Sequence, residues 1–266
     1  MYPFNEQVFP CENAAYLASL EAGREQAKKL TVTFLLLARD VSANLRETTR
    51  HIKGVGSMFK SWRAHVMEND SKDKTPGMLR NWRSKFPRQV SYECIKVKAK
   101  KWGMVREGKR GQDMAKYRNR CRANAHIQPS KTDLVIVLDS DLQGVSCDGI
   151  ANTLSRWDAW DAVFSSGLRK DKCDWVQADA WALRYGDTEW TPKLFKDVRD
   201  LVPARGADWI EVFSAFGGMG LYKVAAYCEA GYGGGDCEHV IFHKRLHAKG
   251  HTRMFLNPSQ IVVYRW

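Results

Sequence analysis

The sequence contains no long hydrophobic run and no regular cysteine pattern, and each absence argues against a class of protein. Apolar runs such as Phe34 to Ala38 are far shorter than the roughly 20 residues that span a bilayer. The seven cysteines include no C-x-x-C pair, so neither a disulfide framework nor a thiolate zinc site is indicated. The N-terminus lacks the basic and apolar regions of a secretory signal. The sequence therefore predicts a cytoplasmic protein without a membrane span, and it leaves open a peripheral association with a membrane surface.

Common phosphate-binding and zinc-binding signatures are also missing. No Walker-type G-K-[ST] loop and no dinucleotide-binding glycine fingerprint occur. His239 and His243 are four residues apart, which is a metal-compatible spacing on a helix, but the H-E-x-x-H motif is absent. Zinc-dependent hydrolysis is therefore not favoured, and any nucleotide site must be of another kind.

Basic residues are in excess, and the excess lies in the first half of the chain. The totals are 42 lysines and arginines against 30 acidic residues. Residues 1–130 carry 26 basic and 12 acidic residues, a net charge of +14, whereas residues 131–266 carry 16 and 18, a net charge of −2. The first half is expected to bind anions and the second half can hold a cation. Charge alone does not choose among nucleic acid, phosphorylated small molecules and an anionic surface.

Apolar strand-like segments alternate with helix-like segments along the chain. Leu30 to Leu37 and Asp133 to Leu138 have the continuous apolar composition of buried parallel strands. The alternation predicts an α/β fold with a mostly parallel central sheet and helices on both faces. No change in composition marks a linker, so residues 1–266 are predicted to form a single domain. Residues 96–111, rich in lysine, arginine and glycine, are predicted to be a flexible loop before a helix that starts at Gln112.

Two aspartates, Asp139 and Asp141, directly follow the strongest predicted strand. Alternate residues of an extended segment point the same way, so both carboxylates can reach one site at the carboxyl edge of the sheet, where α/β proteins bind ligands. Paired carboxylates suit Mg²⁺ or Mn²⁺, whose remaining ligands come from water and substrate phosphates. The alternative is a pair of solvated turn aspartates. We predict a site for Mn²⁺ or Mg²⁺.

Several segments of the sequence, and their order along the chain, resemble those of the nucleotide-sugar-dependent glycosyltransferases of the GT-A fold. The resemblance rests on the order of strands and on four short motifs: Tyr117-Arg118-Asn119, the D-x-D at Asp139 and Asp141, the glycine-rich segment from Phe216 to Tyr222, and Asp236-Cys237-Glu238-His239. The segment Arg118 to Ala125 looks like that of microbial, fungal and algal-virus sugar transferases. The resemblance covers most of residues 30–257. It implies a hexosyl- or deoxyhexosyltransferase that moves a sugar from a nucleotide-diphosphate donor to a glycan or other hydroxyl acceptor.

The resemblance also implies which residues bind the donor and its metal ion. Residues 1–130 would form the nucleotide-binding half, and residues 131–266 would form the metal and acceptor half. Arg118 would contact the diphosphate, and His251 or His243 would complete the metal shell of Asp139 and Asp141. The full set implied for the donor and the ion is Ala38, Arg39, Asp40, Glu68, Arg118, Asp139, Ser140 and Asp141.

On the acceptor side, the resemblance implies a carboxylate at the start of the last predicted helix. Asp236 and Glu238 are both candidates for the catalytic base, with Asp236 preferred, although either could instead stabilise the helix start. Two glycines would let the backbone approach a sugar closely, and three aromatic residues would pack against it. These expected acceptor-binding residues are Gly217, Gly218, Trp181, Tyr185 and Trp209.

Two other functions account for parts of the sequence. A nucleic-acid-binding module would use the basic first half and its aromatic residues, but it leaves the D-x-D motif and the acidic helix start without a role. We therefore do not predict nucleic acid as a partner. A catalytically inactive relative that binds nucleotide sugars would keep the same residues. The donor sugar, the nucleotide base, the acceptor and the stereochemistry of transfer are not determined by the sequence.

Overall fold

The computed structural model of the protein describes residues 8–98, 100–102 and 107–264. Eight helices and ten strands are distributed along these residues. The helices are α1 (Ala14–Ala27), α2 (Leu45–Gly56), α3 (Thr75–Lys85), α4 (Gly108–Asn124), α5 (Cys147–Leu154), α6 (Pro192–Arg199), α7 (Val224–Glu229) and α8 (Glu238–His247). The strands are β1 (Thr31–Ala38), β2 (Ser61–Asn69), β3 (Val90–Ile95), β4 (Leu134–Leu138), β5 (Leu142–Val145), β6 (Ala162–Asp171), β7 (Asp174–Gln177), β8 (Ile210–Glu211), β9 (Met219–Lys223) and β10 (Met254–Tyr264).

The strands form one sheet in the order β3-β2-β1-β4-β9-β6-β10-β5, with β7 paired to β6 and β8 paired to β10. The four strands β3, β2, β1 and β4 are parallel. β9 runs antiparallel between β4 and β6, and β6 and β10 are parallel again. The predicted α/β fold with a mostly parallel central sheet is confirmed, and the antiparallel strands interrupt it in the second half of the chain.

Helices cover both faces of the sheet, as predicted. Alternate residues of β1 belong to two different hydrophobic cores: Phe34 and Leu36 pack in a core with side chains of α2, α3 and α5, and Leu35 packs in a core with side chains of α4 and α8. Burial of one such side chain contributes about 1.5–3 kcal/mol to stability. Because β1 is buried on both faces, its sequence is a continuous apolar run rather than an alternating one.

One edge of the sheet collects the ends of several strands. Ala38 ends β1 and Leu138 ends β4, and these strands are parallel neighbours. The antiparallel strand β9 starts at the same edge, where the Asp139 backbone N–H donates to the Gly218 carbonyl at 2.9 Å. β10 ends there too, with Tyr264. The topology therefore brings together residues that are far apart in the sequence.

The basic segment 96–111 differs from the prediction. α4 begins at Gly108 rather than at Gln112, because two glycines allow the first turn of the helix to pack closely on another backbone segment. A Cβ atom on Gly111 would lie 1.9 Å from the Asp236 carbonyl oxygen, and one on Gly108 would lie 2.6 Å from the Gly235 carbonyl oxygen. These glycines therefore serve close packing rather than flexibility. Residues 99 and 103–106 of the same segment lie outside the described residues.

β10 is a long strand, which runs from Met254 to Tyr264. Its middle contains buried polar residues, which interrupt the apolar pattern and are bonded to other buried groups. Asn257 Nδ2 donates to Asn152 Oδ1 at 2.9 Å, and Gln260 Nε2 donates to Ser165 Oγ at 2.9 Å. The sequence gives no clear signal for the short elements β5, α6 and α7, and β7 ends at Gln177 although strand-like residues continue to Ala182. No helix within the described ranges is long and apolar enough to cross a lipid bilayer.

Candidate functional site

The two aspartates after β4 lie at the shared edge of the sheet. The Asp139 side chain is 30% exposed, and Asp141 is exposed. Ser140, between them, is buried, and its Oγ donates to the Leu37 carbonyl at 2.8 Å. The motif therefore presents its two carboxylates at the surface, and its serine secures the end of β4 to β1. The expected contact of Ser140 with the donor stays a prediction, and its hydroxyl proton is used within the protein.

Two side chains hold the Asp139 carboxylate in place. The Tyr264 hydroxyl donates to Oδ2 at 2.9 Å, and Arg118 Nη2 lies 3.7 Å from Oδ1. Burial, together with the carboxylates of Asp141 and Asp179, raises the pKa of Asp139 to about 7, although Arg118 acts in the opposite direction. Partial burial of the carboxyl group is the largest cause of the rise, and the neighbouring carboxylates add to it.

This edge fits a divalent cation. Its donors are carboxylate oxygens, the ligands that Mg²⁺ and Mn²⁺ prefer, and the exposed Asp141 and the partly exposed Asp139 leave them accessible. Asp139 and Asp141 are the residues that would hold the ion. Among the described residues, no three acidic, histidine or cysteine side chains form a ready metal shell, so an ion here would take its other ligands from water or substrate.

Arg118, on α4, lies beside the aspartates but is only 6% exposed. Its Nε donates to Glu238 Oε1 at 2.8 Å, and its guanidinium lies 5.1 Å from the centre of the Phe216 ring. A buried charge is tolerated when it is paired and hydrogen-bonded in this way. Arg118 therefore bridges Glu238 and Asp139, and its main contacts are with protein carboxylates.

The two acidic residues near the start of α8 are each paired with a buried arginine. Arg184 Nη2 lies 3.1 and 2.9 Å from the two carboxylate oxygens of Asp236, and Arg184 is fully buried. Glu238 is paired with Arg118 and is also buried. Neither residue is the N-cap of α8, which is Cys237. The sequence correctly identified a conspicuous acidic pair, but not the two arginines that neutralise it.

A further aspartate, Asp179, belongs to the same acidic group and was missed by the sequence analysis. It follows β7, and its side chain accepts a hydrogen bond from the Trp181 backbone N–H. Burial and the nearby Glu238 carboxylate raise the pKa of Asp179, against the opposing effect of Arg110. No lysine or arginine of the described ranges forms an ion pair with Asp179. In the sequence, Asp179 stands out as an acidic residue inside a segment whose other residues are typical of a strand.

Two of the predicted acceptor-binding aromatics follow Asp179 directly, and the third lies elsewhere. Trp181 is buried, with the Arg110 guanidinium 5.0 Å from its ring centre. Tyr185 is 52% exposed. Trp209, in contrast, donates from Nε1 to Asn152 Oδ1 at 3.2 Å and packs on Phe255. The prediction for Trp209 is corrected, because its ring and N–H are used in packing on α5 and β10.

Gly217 and Gly218 have positive φ angles of 59° and 83°, which favour glycine. A Cβ atom on Gly217 would lie 2.0 Å from the Ser165 carbonyl oxygen, and one on Gly218 would lie 2.6 Å from the Tyr264 hydroxyl. The space beside these glycines is therefore filled by the protein itself. They were expected to leave room for a sugar. Instead they allow the segment before β9 to pack beneath Asp139.

The end of β1 holds a partly exposed pair of charged residues. Lys101 Nζ lies 2.8 Å from Asp40 Oδ2, and this contact, together with the Lys72 backbone N–H, holds the pKa of Asp40 below its usual value. Arg39 Nη1 donates to the Lys100 carbonyl at 3.0 Å. The basic segment thus contacts the strand end at which donor binding was predicted.

Two other residues predicted to meet the nucleoside are buried. Ala38 is in the hydrophobic core. Glu68 is fully buried, and its Oε1 accepts from the Ser71 backbone N–H at 2.7 Å. Neither side chain reaches the surface, so the contact of these residues with a nucleoside stays a prediction and would have to come from the backbone.

The structure does not bring the predicted histidines to the metal site. His243 is buried, with Ser214 Oγ 2.8 Å from Nδ1 and the Tyr222 hydroxyl 2.9 Å from Nε2. His251 lies near Asp161, which precedes β6 at the opposite edge of the sheet. Ala162 pairs with Tyr222 of β9, whereas Leu138 pairs with Met219 of the same strand. The start of β6 and the end of β4 are therefore about 10 Å apart along β9. The prediction that His251 completes the metal shell is therefore corrected.

Comparisons with known proteins identify the fold. No protein-family model matches the sequence, and no sequence match to a curated protein is found. Solved structures do match in three dimensions. A mannosyltransferase from Pyrobaculum calidifontis, solved with GDP-Man and Mn²⁺, has a TM-score of 0.54 and 15% identity over 94% of this chain and 65% of its own. GalNAc-T7, solved with UDP, GalNAc and Mn²⁺, has a TM-score of 0.55 and 12% identity over 90% of this chain and 44% of its own.

A third solved structure also matches. The glucosyl-3-phosphoglycerate synthase of Mycobacterium tuberculosis, solved with Mn²⁺, UDP and phosphoglyceric acid, has a TM-score of 0.50 and 12% identity over 93% of this chain and 75% of its own. The present chain spans less than two thirds of the first two structures. At these identities the similarity establishes the fold: the chain has the GT-A fold found in nucleotide-sugar glycosyltransferases.

Proposed function

We propose that this chain is a metal-dependent glycosyltransferase that moves a hexosyl or deoxyhexosyl group from a nucleotide-diphosphate donor to a hydroxyl group of a glycan or other acceptor. The observation that carries the proposal is the pair Asp139 and Asp141 at the carboxyl end of β4, where both carboxylates are at least partly exposed at one edge of the sheet. The GT-A fold supports it, because solved proteins of this fold contain Mn²⁺ with a nucleotide or nucleotide sugar.

In this proposal Asp139 and Asp141 hold Mn²⁺ or Mg²⁺. When bound, the ion neutralises charge on the departing diphosphate. Tyr264 and Arg118 fix the Asp139 carboxylate, and a ligand held in one orientation needs less reorganisation when the substrate arrives. We assign Arg118 this positioning role rather than direct contact with the diphosphate, because it is buried and bonded to Glu238.

The nucleotide would lie toward the first half of the chain. Arg39 and Lys101 lie at the end of β1, next to β4 in the sheet. They add positive charge at the edge where a diphosphate would approach the aspartates. This position gives the positive charge of residues 1–130 a role in donor binding.

An inverting reaction would also need a base for the acceptor hydroxyl. Asp236 and Glu238 are each bonded to a buried guanidinium, so their carboxylate oxygens are already engaged within the protein. Asp179 is not held in such a pair and is adjacent to Glu238. We therefore propose Asp179 as the base, ahead of Asp236 and Glu238. Trp181 and the exposed Tyr185, which follow it in the sequence, would provide aromatic surface for the acceptor sugar.

A thermal-shift screen with GDP-sugars and UDP-sugars, each with and without Mn²⁺, tests donor binding. A ligand that binds only the folded state raises the melting temperature by mass action. The proposal expects at least one nucleotide sugar to stabilise the wild-type chain only when Mn²⁺ is present, and Asp141→Asn to abolish that shift. The exposed Asp208→Asn is the matched control and should behave as wild type.

The outcomes separate the alternatives. If no nucleotide sugar stabilises the protein with Mn²⁺, the proposed donor class is wrong. Binding that requires Asp141 but produces no nucleoside diphosphate with any acceptor would instead indicate an inactive relative. Stabilisation by oligonucleotides alone, steeply reduced by salt, would favour a nucleic-acid-binding module.

A further inference from the structure

A second concave site lies away from the acidic edge. It is a cavity of about 560 Å³. Its walls come from the first residues of β2 and β3, from the turn between α3 and β3, and from the C-terminal end of α4. None of the residues around it belongs to the group of Asp139, Asp141, Asp179 and Glu238. Its volume is that of a small-molecule site.

Four cationic side chains surround this cavity: Arg63, Arg83, Arg88 and Lys131. All four are exposed, and none forms an ion pair with another residue of the described ranges. They come from β2, from α3, from the α3–β3 turn and from the segment before β4. Four unpaired cations that converge from separate segments provide a positive field for an anion, and guanidinium groups suit bidentate contacts with phosphate or carboxylate.

Two of the residues around the cavity also carry a buried polar atom without a partner among the described residues. His65 is only 4% exposed; its Nδ1 lies 2.8 Å from Ser91 Oγ, but its Nε2 has no hydrogen-bond partner among the described residues. Glu93 Oε2 accepts from Arg120 Nε at 2.8 Å, whereas Oε1 is buried and unpaired. A buried polar atom without a partner is energetically unfavourable. A ligand in the cavity would satisfy these atoms once the side chains of His65 and Glu93 turn toward it.

Together these features specify the chemistry of a ligand. The arginines and Lys131 call for an anionic group, and Arg120 already balances the charge of Glu93. The free Glu93 Oε1 can accept a hydrogen bond from a hydroxyl group, and a neutral imidazole can donate or accept at Nε2 according to its tautomer. We propose that the cavity is a second ligand site, which binds a phosphorylated polyol such as a sugar phosphate. Its phosphate would meet the cationic rim, and a hydroxyl group would meet His65 and Glu93.

Calorimetric titration of the full chain, without metal or nucleotide, tests this site with three probes: glucose 6-phosphate, inorganic phosphate and glucose. Glucose 6-phosphate should bind most tightly, inorganic phosphate about tenfold more weakly because it lacks the hydroxyl contacts, and glucose not measurably. No binding of either anion would overturn the proposal. Equal affinity for the two anions would overturn the assignment of a polyol.

Variants show whether the binding occurs in this cavity. Arg83→Gln combined with Arg88→Gln changes two exposed residues and should weaken glucose 6-phosphate binding at least about tenfold. The control is Arg80→Gln, on α3 but outside the cavity. Asp139→Asn should leave the affinity unchanged, since the acidic edge is separate. Undiminished binding by the double arginine variant, or loss of binding by Asp139→Asn, would overturn the assignment.

A second pair of variants tests the hydroxyl contacts. Glu93→Leu and His65→Phe should reduce the preference for glucose 6-phosphate over inorganic phosphate, while inorganic phosphate itself binds as in the wild type. Because His65 is buried, each variant is first compared with the wild type by circular dichroism, and Glu93→Leu keeps the test valid if His65→Phe fails to fold. An unchanged preference in Glu93→Leu would contradict the proposed contact.

Discussion

Arg118 donates a hydrogen bond from Nε to Glu238 Oε1 at 2.8 Å, across the contact between α4 and α8. The same guanidinium has its Nη2 3.7 Å from Asp139 Oδ1. Arg118 therefore ties the first half of the chain to the last helix and at the same time limits the repulsion between two carboxylates. Stability and the proposed chemistry depend here on the same ion pair.

Replacement of Arg118 should destabilise the protein strongly. Arg118→Gln leaves Glu238 buried without a cation, and breaking a buried pair by removing one partner costs about 3–5 kcal/mol. Urea unfolding measures the change. The double variant Arg118→Gln with Glu238→Gln should recover part of the loss, because no unpaired charge remains. A single variant within about 1 kcal/mol of the wild type would contradict the structural role of this pair.

Removal of the Tyr264 hydroxyl should weaken the metal site with little effect on the fold. Tyr264→Phe keeps the ring but loses the hydrogen bond to Asp139. Partners that orient a metal ligand contribute about 10–100-fold to metal affinity or activity. The concentration of Mn²⁺ required for half-maximal stabilisation by donor should rise by that order. If the Mn²⁺ requirement stays the same, Tyr264 does not position Asp139.

Stability should fall as the solution is made acidic, and His243 should account for part of the fall. Burial lowers the pKa of His243 well below its usual value of 6.5. Below about pH 6.5 the unfolded chain binds a proton at this residue and the folded chain does not, so folding becomes less favourable as the pH falls.

The variant His243→Gln isolates this contribution. Its unfolding free energy should depend less steeply on pH between 6.5 and 5 than that of the wild type, by at most about 1.4 kcal/mol per pH unit. Urea unfolding at several pH values supplies the two slopes. Identical slopes would mean that His243 does not remain neutral in the folded state.

Asp179→Asn should lower kcat by about 10²–10⁴-fold if Asp179 is the base, with donor affinity nearly unchanged. Asp236→Asn is the informative comparison, because it leaves the buried Arg184 without its carboxylate and should lower stability first. Steady-state kinetics together with melting curves separate the two effects. Full activity of Asp179→Asn would exclude it as the base and return Glu238 and Asp236 as candidates.

The sequence predicted those strands of the sheet whose apolar pattern matches their burial in the folded protein. β1 and β4 are buried on both faces, and their apolar runs were correctly interpreted as strands. The position of Asp139 and Asp141 followed from the end of β4, because a strand end fixes which residues reach the edge. Strand order could be anticipated only through resemblance to a fold, since pairing with β9 is a contact between distant segments.

The remaining features depend on contacts that no local pattern contains. Asp179 lies in a segment with the composition of a strand, and its spatial neighbour Glu238 is far away in the sequence. Gly218 was assigned to a sugar because the sequence does not show Tyr264 lying against it. His251 is distant from Asp139 because β6 begins at the opposite edge of the sheet. In each case the position and contacts of the residue depend on a neighbour that is distant in the sequence, and not on the residue type.

The most direct test of the central claim is the release of nucleoside diphosphate from a nucleotide sugar, measured as Mn²⁺ is titrated. We expect wild-type protein and the control Asp208→Asn to show metal-dependent release, and Asp139→Asn and Asp141→Asn to show almost none while keeping their melting temperatures. Equal, metal-dependent release by all four proteins would contradict the assignment of these two aspartates as the metal-binding centre of a glycosyltransferase.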